Sequence, residues 1–126
     1  MTDRSPAATL HIGAVATRTG LSLRTLRHYD EVGLVRPSAR SEGGFRLYTE
    51  PDVERLLLVR RMKPLGFTLE QMAELLEITD ALEGGAVDGD ARERLDGYRA
   101  AAEERRADLA RKLDMADEFI ALLRSR

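Results

Sequence analysis

The chain of 126 residues has no cysteine and no tryptophan, and only two histidines, His11 and His28. Without cysteine there can be no disulfide, no thiolate metal site and no thiol catalysis. Two histidines leave little imidazole for metal binding or acid–base work, so neither a metal nor a cofactor is expected. No run approaches the roughly 20 apolar residues of a membrane span. The opening residues 1–9 form a loose polar tail without the apolar core of a secretory signal. The expectation is therefore a cytoplasmic protein with no membrane partner, built as one small domain or a small domain with an appendage.

Net charge is only −2, but it is unevenly spread. Residues 1–70 carry 11 Lys/Arg against 8 Asp/Glu, whereas residues 71–126 carry 9 against 14. A mildly basic front and an acidic rear fit a molecule with one end facing nucleic acid. Ordinary surface charge would give the same asymmetry, so local patterns must decide.

The densest pattern is Gly20–Asp30. Ser22 is suited to cap a helix because its hydroxyl can accept from an orphan amide of the first turn. Gly20 can end a preceding helix in the left-handed conformation, and Leu21 with Leu26 has the spacing of a hydrophobic staple. In the helix that follows, Leu23, Leu26 and either Tyr29 or Asp30 fall on one side. Arg24, Thr25 and His28 project from another. Upstream, the alanine-rich run from Ile12 predicts a short first helix. Two short helices about a turn form the unit whose second helix enters a major groove, although many helical corners of this kind bind nothing.

After Gly33, a candidate C-cap, two short alternating runs, Leu34–Arg36 and Phe45–Tyr48, flank a Pro/Ser/Gly-rich loop and predict a β-hairpin. Phe45 and Leu47 share one face of it, Arg46 the other. Arg36, Arg40 and Arg46 then sit on or around a wing beside the second helix, where phosphate contacts are made. Thr49 is placed to cap a third helix, with Pro51 in its first turn and Asp52 at its positive end. Pro64 and Gly66 close that helix. A fourth opens with a capping box, Thr68 to Gln71, and a staple, Phe67 to Met72.

From Thr79 the pattern dissolves among Gly84, Gly85 and Gly89, so residues 79–89 are read as a linker. Residues 90–124 have no proline and no glycine beyond Gly97. There Leu95, Ala102, Leu109, Ala116 and Leu123 recur every seven residues, with Tyr98, Leu113, Phe119 and Ile120 near the companion positions. Arg105 and Lys112 interrupt the companion row, which speaks against a parallel zipper. So narrow a seam needs a partner: its own front domain, or the same helix of a second chain in antiparallel pairing. The second is favoured, because the front domain is too small to cover the seam and two-fold dimers are common. The expected fold is mainly α, with a winged helix-turn-helix over residues 10–78 followed by a long helix forming an antiparallel coiled coil in a dimer.

This order of elements resembles the MerR family of transcription regulators. The resemblance is carried by Ile12, Gly13 and Ala16, by Thr19, Gly20 and Ser22, by Leu23 to Asp30, by Gly33 and Leu34, by Gly44 to Tyr48, and by Leu65 to Glu70. It implies DNA contacts from Arg18, Arg24, Thr25, Arg27, His28 and Tyr29, from Arg36 and Arg46 in the wing, and from Lys63 or its neighbours from Arg60 on; Ser22 and Arg40, which lie among them, join the DNA-binding candidates. The seven-residue recurrence puts Leu95, Tyr98, Ala102, Leu109, Leu113, Ala116, Ile120 and Leu123 forward for the dimerisation that the resemblance implies.

The resemblance also implies a homodimer acting on a pseudo-palindromic promoter site by bending and untwisting an overlong spacer, with RNA polymerase as an indirect partner. The family's metal and redox sensors use cysteines near the end of the dimerisation helix, and this chain has none. Its drug sensors append a further domain, whereas this sequence ends at Arg126. Either a small-molecule inducer binds between the long helix and the DNA-binding domain, or there is no inducer. An excisionase-like DNA bender is the alternative from another class, and the long helix argues against it. An enzyme is not expected, because no acid, base and nucleophile converge.

Overall fold

A computed structural model of the chain describes residues 8–85 and 89–126. Its elements run β1 (Leu10–His11), α1 (Ile12–Thr19), α2 (Leu23–Glu31), β2 (Ala39–Arg40), β3 (Arg46–Tyr48), α3 (Glu50–Met62), a single 3-10 turn (Lys63–Leu65), α4 (Leu69–Glu83) and α5 (Gly89–Arg124). The chain divides into two compact units within α4, between Ala73 and Glu74. Among the described residues, no helix is long and apolar enough to cross a membrane.

Local chemistry sets the helix ends of the front unit. Gly20 sits at φ 72° and donates its N–H to Ala16 O, closing α1. That conformation costs an L-residue roughly 1–2 kcal/mol and glycine almost nothing. Ser22 then starts α2, its Oγ accepting from Thr25 N at 3.0 Å. Thr49 and Asp52 form a reciprocal capping box on α3, and Thr68 and Gln71 form another on α4. Both members of the predicted staple, Phe67 and Met72, are buried. The core of this unit gathers Val15 from α1, Leu26 and Tyr29 from α2, Val35, Tyr48 from β3, and Val53, Leu56 and Val59 from α3.

The wing differs from the hairpin expected. Its strands are β2 and β3, antiparallel in the register Ala39↔Leu47 and Arg40↔Arg46, so residues 34–36 are not a strand. The reason is a competing use of their amides: Leu34 N and Val35 N both donate to Tyr29 O, sealing the C-terminus of α2 about Gly33 at φ 74°. An N–H spent on a helix cap cannot enter a ladder. A third strand, β1, pairs with β3 in the register Leu10↔Tyr48, giving the order β1-β3-β2. Tyr48 is the strand residue that enters the core, while Phe45 at the wing tip is 65 % exposed. Leu23, expected on the packed side of α2, is exposed as well.

The rear unit comprises the end of α4 and the whole of α5. Helix α4 continues through Thr79–Glu83, residues expected to open the linker; the helix-compatible Ala81, Leu82 and Glu83 carry it on until Gly84 and Gly85, the latter at φ 86°. The stretch 86–88 of the expected linker lies outside the described residues. Helix α5 spans 36 residues, and its N-terminal third is tied to α4 by Arg94 and Glu74 at 3.1 Å. Ala91 is buried and Leu95, Tyr98 and Ala102 are half-buried, whereas every residue from Arg106 to Arg126 is exposed. Leu113 is 63 % exposed, and Leu109, Ile120 and Leu123 are similarly bare.

Candidate nucleic-acid interface

Helix α2 presents two faces. Leu26 and Tyr29 are driven into the core, and the residues between them at helical spacing turn outward. Arg24, Thr25, Arg27, His28 and Glu31 on α2, with Lys63 from the turn after α3, line one groove of about 590 Å³, floored by Tyr29. Six of its seven lining residues, Arg24, Thr25, Arg27, His28, Tyr29 and Lys63, are expected contacts, so two distant segments of chain meet in one place. Thr25 is the most constrained of them: besides the cap bond from its amide, its Oγ1 accepts from the Ser22 hydroxyl at 2.9 Å. Ser22 thus fixes the start of α2 and the rotamer of Thr25 together. Arg24, Arg27, His28 and Lys63 are exposed, and their side chains make none of the hydrogen bonds or ion pairs found among the described residues.

Tyr29, expected as a DNA contact, is only 3 % exposed. Burial raises the pKa of its phenol above the ordinary value. Its position makes it first of all a core residue whose edge reaches the groove.

The remaining expected contacts lie outside the groove. Arg18 forms a two-pronged ion pair with Glu50 across α1 and α3, one arm at 2.9 Å. That pairing raises the arginine's pKa and lowers the carboxylate's. Arg36 is exposed and its guanidinium lies against Gly33, where a Cβ would sit 3.0 Å from Nη2. Arg40 and Arg46, one on each wing strand, converge on a single oxygen of Asp30 in α2. Arg46 Nε donates to Asp30 Oδ2 at 2.7 Å and Arg40 Nη2 at 3.2 Å. Arg40 also donates to Gly44 O at 3.2 Å, gripping the wing turn from within. The hydrogen bond to Asp30 pushes the Arg46 pKa further up.

Three residues of this region have roles that the sequence did not assign to them. Asp30 is the hub of the wing clamp, and its partners 10 and 16 residues away leave no local periodic signal. Asp52, expected only to favour the helix dipole, also accepts from Ser38 N at 3.0 Å and Ser38 Oγ at 2.7 Å, fastening the start of the wing to α3. Glu31 is the single carboxylate in the groove lining. Its spacing of seven from Arg24, two helical turns on the same face, was the signal available for it. Among the described residues no group of three His, Cys, Asp or Glu could hold a metal ion.

Comparison with known proteins agrees with this geometry. The family model described as MerR HTH family regulatory protein matches residues 10–78, and the one described as MerR, DNA binding matches residues 53–118. A probable heavy metal-dependent transcriptional regulator of Haemophilus influenzae is 41 % identical over 71 residues, covering 56 % of each chain. The match thus spans about half the length of that relative. The HTH-type transcriptional regulator YfmP of Bacillus subtilis is 37 % identical over 121 residues, with 92 % of this chain and 84 % of YfmP covered. Among solved structures, HiNmlR, a MerR family regulator lacking the sensor domain and bound to promoter DNA, superposes with a TM-score of 0.75 at 26 % identity, over 94 % of this chain and 92 % of that one. By the span of the family match and the likeness to YfmP over most of both chains, this chain belongs to the MerR family of helix-turn-helix regulatory proteins.

Proposed function

We propose that the protein is a homodimeric, sequence-specific DNA-binding transcription regulator that acts on a pseudo-palindromic promoter site. The observation that carries this reading is the groove on α2, where four exposed cationic or imidazole side chains that make no hydrogen bond or ion pair among the described residues surround a hydroxyl held in place by Ser22. Guanidinium and ammonium groups without ion-pair partners, gathered on the outward side of α2 and the turn after α3, match the phosphates and base edges of a major groove. In this reading Arg24, Thr25 and His28 face base edges. Arg27 and Lys63 hold phosphate, and Arg46 and Arg40 reach the backbone with the donors that Asp30 does not use.

The bare seam from Leu109 to Leu123 supports the dimer. Large aliphatic side chains left 44–63 % exposed along one stripe of a helix call for a matching surface. The N-terminal third of α5 is already occupied within its own unit, so antiparallel pairing would set the bare end of one helix alongside its partner's. A dimer presenting two α2 helices would read two half-sites and bend or untwist the spacer between them, work that depends on DNA deformability as much as on base contacts. Whether a small-molecule inducer biases that equilibrium would be read from the same binding experiment repeated with candidate ligands.

The test is a pair of binding titrations over a range of salt. Arg46→Ala is expected to weaken binding to all duplexes alike and to lower the log–log salt slope by about 1. Arg24→Ala is expected to change sequence preference instead. An Arg46→Ala protein with unchanged affinity and unchanged slope would remove the wing from the interface. Mapping bound sites separates promoter spacers, which this reading requires, from recombination sites, which an architectural bender would occupy.

A further inference from the structure

We propose that Glu31 is a specificity-determining residue that selects cytosine in the bound DNA. The inference rests on the reading of the α2 groove as the DNA interface. Glu31 lies in that groove among Arg24, Arg27, His28 and Lys63. It is exposed, and although it stands four residues after Arg27 and three after His28, its carboxylate makes no hydrogen bond or ion pair among the described residues and feels only a longer-range attraction to Arg46. Its neighbour Asp30, by contrast, has one carboxylate oxygen held by two arginines. A carboxylate without a hydrogen-bond donor on a polyanion-binding face repels phosphate, and it weakens every complex in which nothing donates to it.

The base edges decide what can donate. In the major groove guanine offers two acceptors, thymine an acceptor and a methyl group, and adenine a donor beside an acceptor. Cytosine alone offers an amino donor without an acceptor on the same base edge. A carboxylate is acceptor-only, so it is compatible with cytosine and is repelled, wholly or in part, by the other three. Glu31 stands seven residues beyond Arg24, roughly 10.5 Å along the helix at 1.5 Å per residue. At 3.4 Å per base step that places its contact about three base pairs from the one made by Arg24. The same carboxylate lowers affinity for unrelated DNA, which sharpens discrimination from the repulsive side.

The experiment is selection from a randomised duplex library by the full-length protein and by Glu31→Gln and Glu31→Ala, followed by titration of the enriched duplex against an unrelated one. Wild type is expected to enrich a cytosine at one pair of two-fold-related positions. Glutamine, which pairs with the donor and acceptor of adenine, is expected to move that preference to adenine, and alanine to abolish it. The ratio of affinities for enriched and unrelated duplex should fall about tenfold in Glu31→Ala, with the salt slope on unrelated DNA unchanged or steeper. If both variants enrich the wild-type sequence with the wild-type ratio, the assignment of Glu31 is overturned while the groove remains the interface. If wild type itself enriches no sequence, the reading of the groove fails and Glu31 fails with it. Circular dichroism of each variant establishes that this exposed position leaves the fold intact.

Discussion

Replacing Asp30 with asparagine should loosen the wing from α2 by an amount the geometry bounds. Asp30 is only 11 % exposed, and its Oδ2 accepts from Arg46 at 2.7 Å and from Arg40 at 3.2 Å. Arg46 is 25 % exposed, so its hydrogen bond is largely shielded, and a bond to a charged group contributes about 1.5–3 kcal/mol. Arg40 is 49 % exposed and its share is discounted to a few tenths of a kcal/mol. The amide keeps the shape and one acceptor but loses the charge, which removes roughly half of the stronger bond. Asp30→Asn should therefore destabilise by about 1 kcal/mol, and Asp30→Ala by about 2. Urea unfolding at fixed protein concentration reads this as a lower midpoint at unchanged m. A double-mutant cycle of Asp30→Ala with Arg46→Ala should give a coupling of about 1 kcal/mol or more. Strict additivity in that cycle would refute the clamp.

Two further substitutions probe the front unit. The Tyr48 hydroxyl is fully buried with no hydrogen-bond partner among the described residues. Removing an unsatisfied buried group relieves a desolvation penalty, so Tyr48→Phe should raise stability by about 1 kcal/mol in the same urea titration. Arg18 holds the pKa of Glu50 below the ordinary carboxylate value. A depressed folded-state pKa adds stability that is present above the unfolded value and is lost as pH falls through the folded one. The acid limb of the stability profile should therefore be shallower in Glu50→Gln than in wild type, and the two profiles should run parallel near neutrality.

What the sequence revealed of this molecule was governed by the range of the interactions. Ser22, Gly20, Thr49 and the Thr68–Gln71 box act within three or four residues, and each stands where local pattern placed it. The family resemblance and the order of helices followed from the same short-range signals. The misplaced features depend on distant partners. Strand β1 is two residues long and exists only because Tyr48, 38 residues later, pairs with Leu10. Strand β2 moved to Ala39–Arg40 because Tyr29 O had already taken the amides of Leu34 and Val35. Arg18, Arg40 and Arg46 were legible as cations near one surface, but Glu50 and Asp30, which hold them, carry no sequence mark of that pairing. The groove was legible in six of its seven members because α2 turns Arg24, Thr25, Arg27 and His28 outward together. Glu31 stands on that face too, and a carboxylate is not what a search for DNA-binding residues looks for.

The central claim is that two copies of this chain read a two-fold DNA site, and a footprint on the DNA upstream of its own coding region, with the mass of the complex recorded in solution, tests it most directly. Protection of two half-sites about one helical turn apart, by a complex holding two protein chains, is the expected result. Absence of protection at low salt, or protection by a single chain, would contradict it.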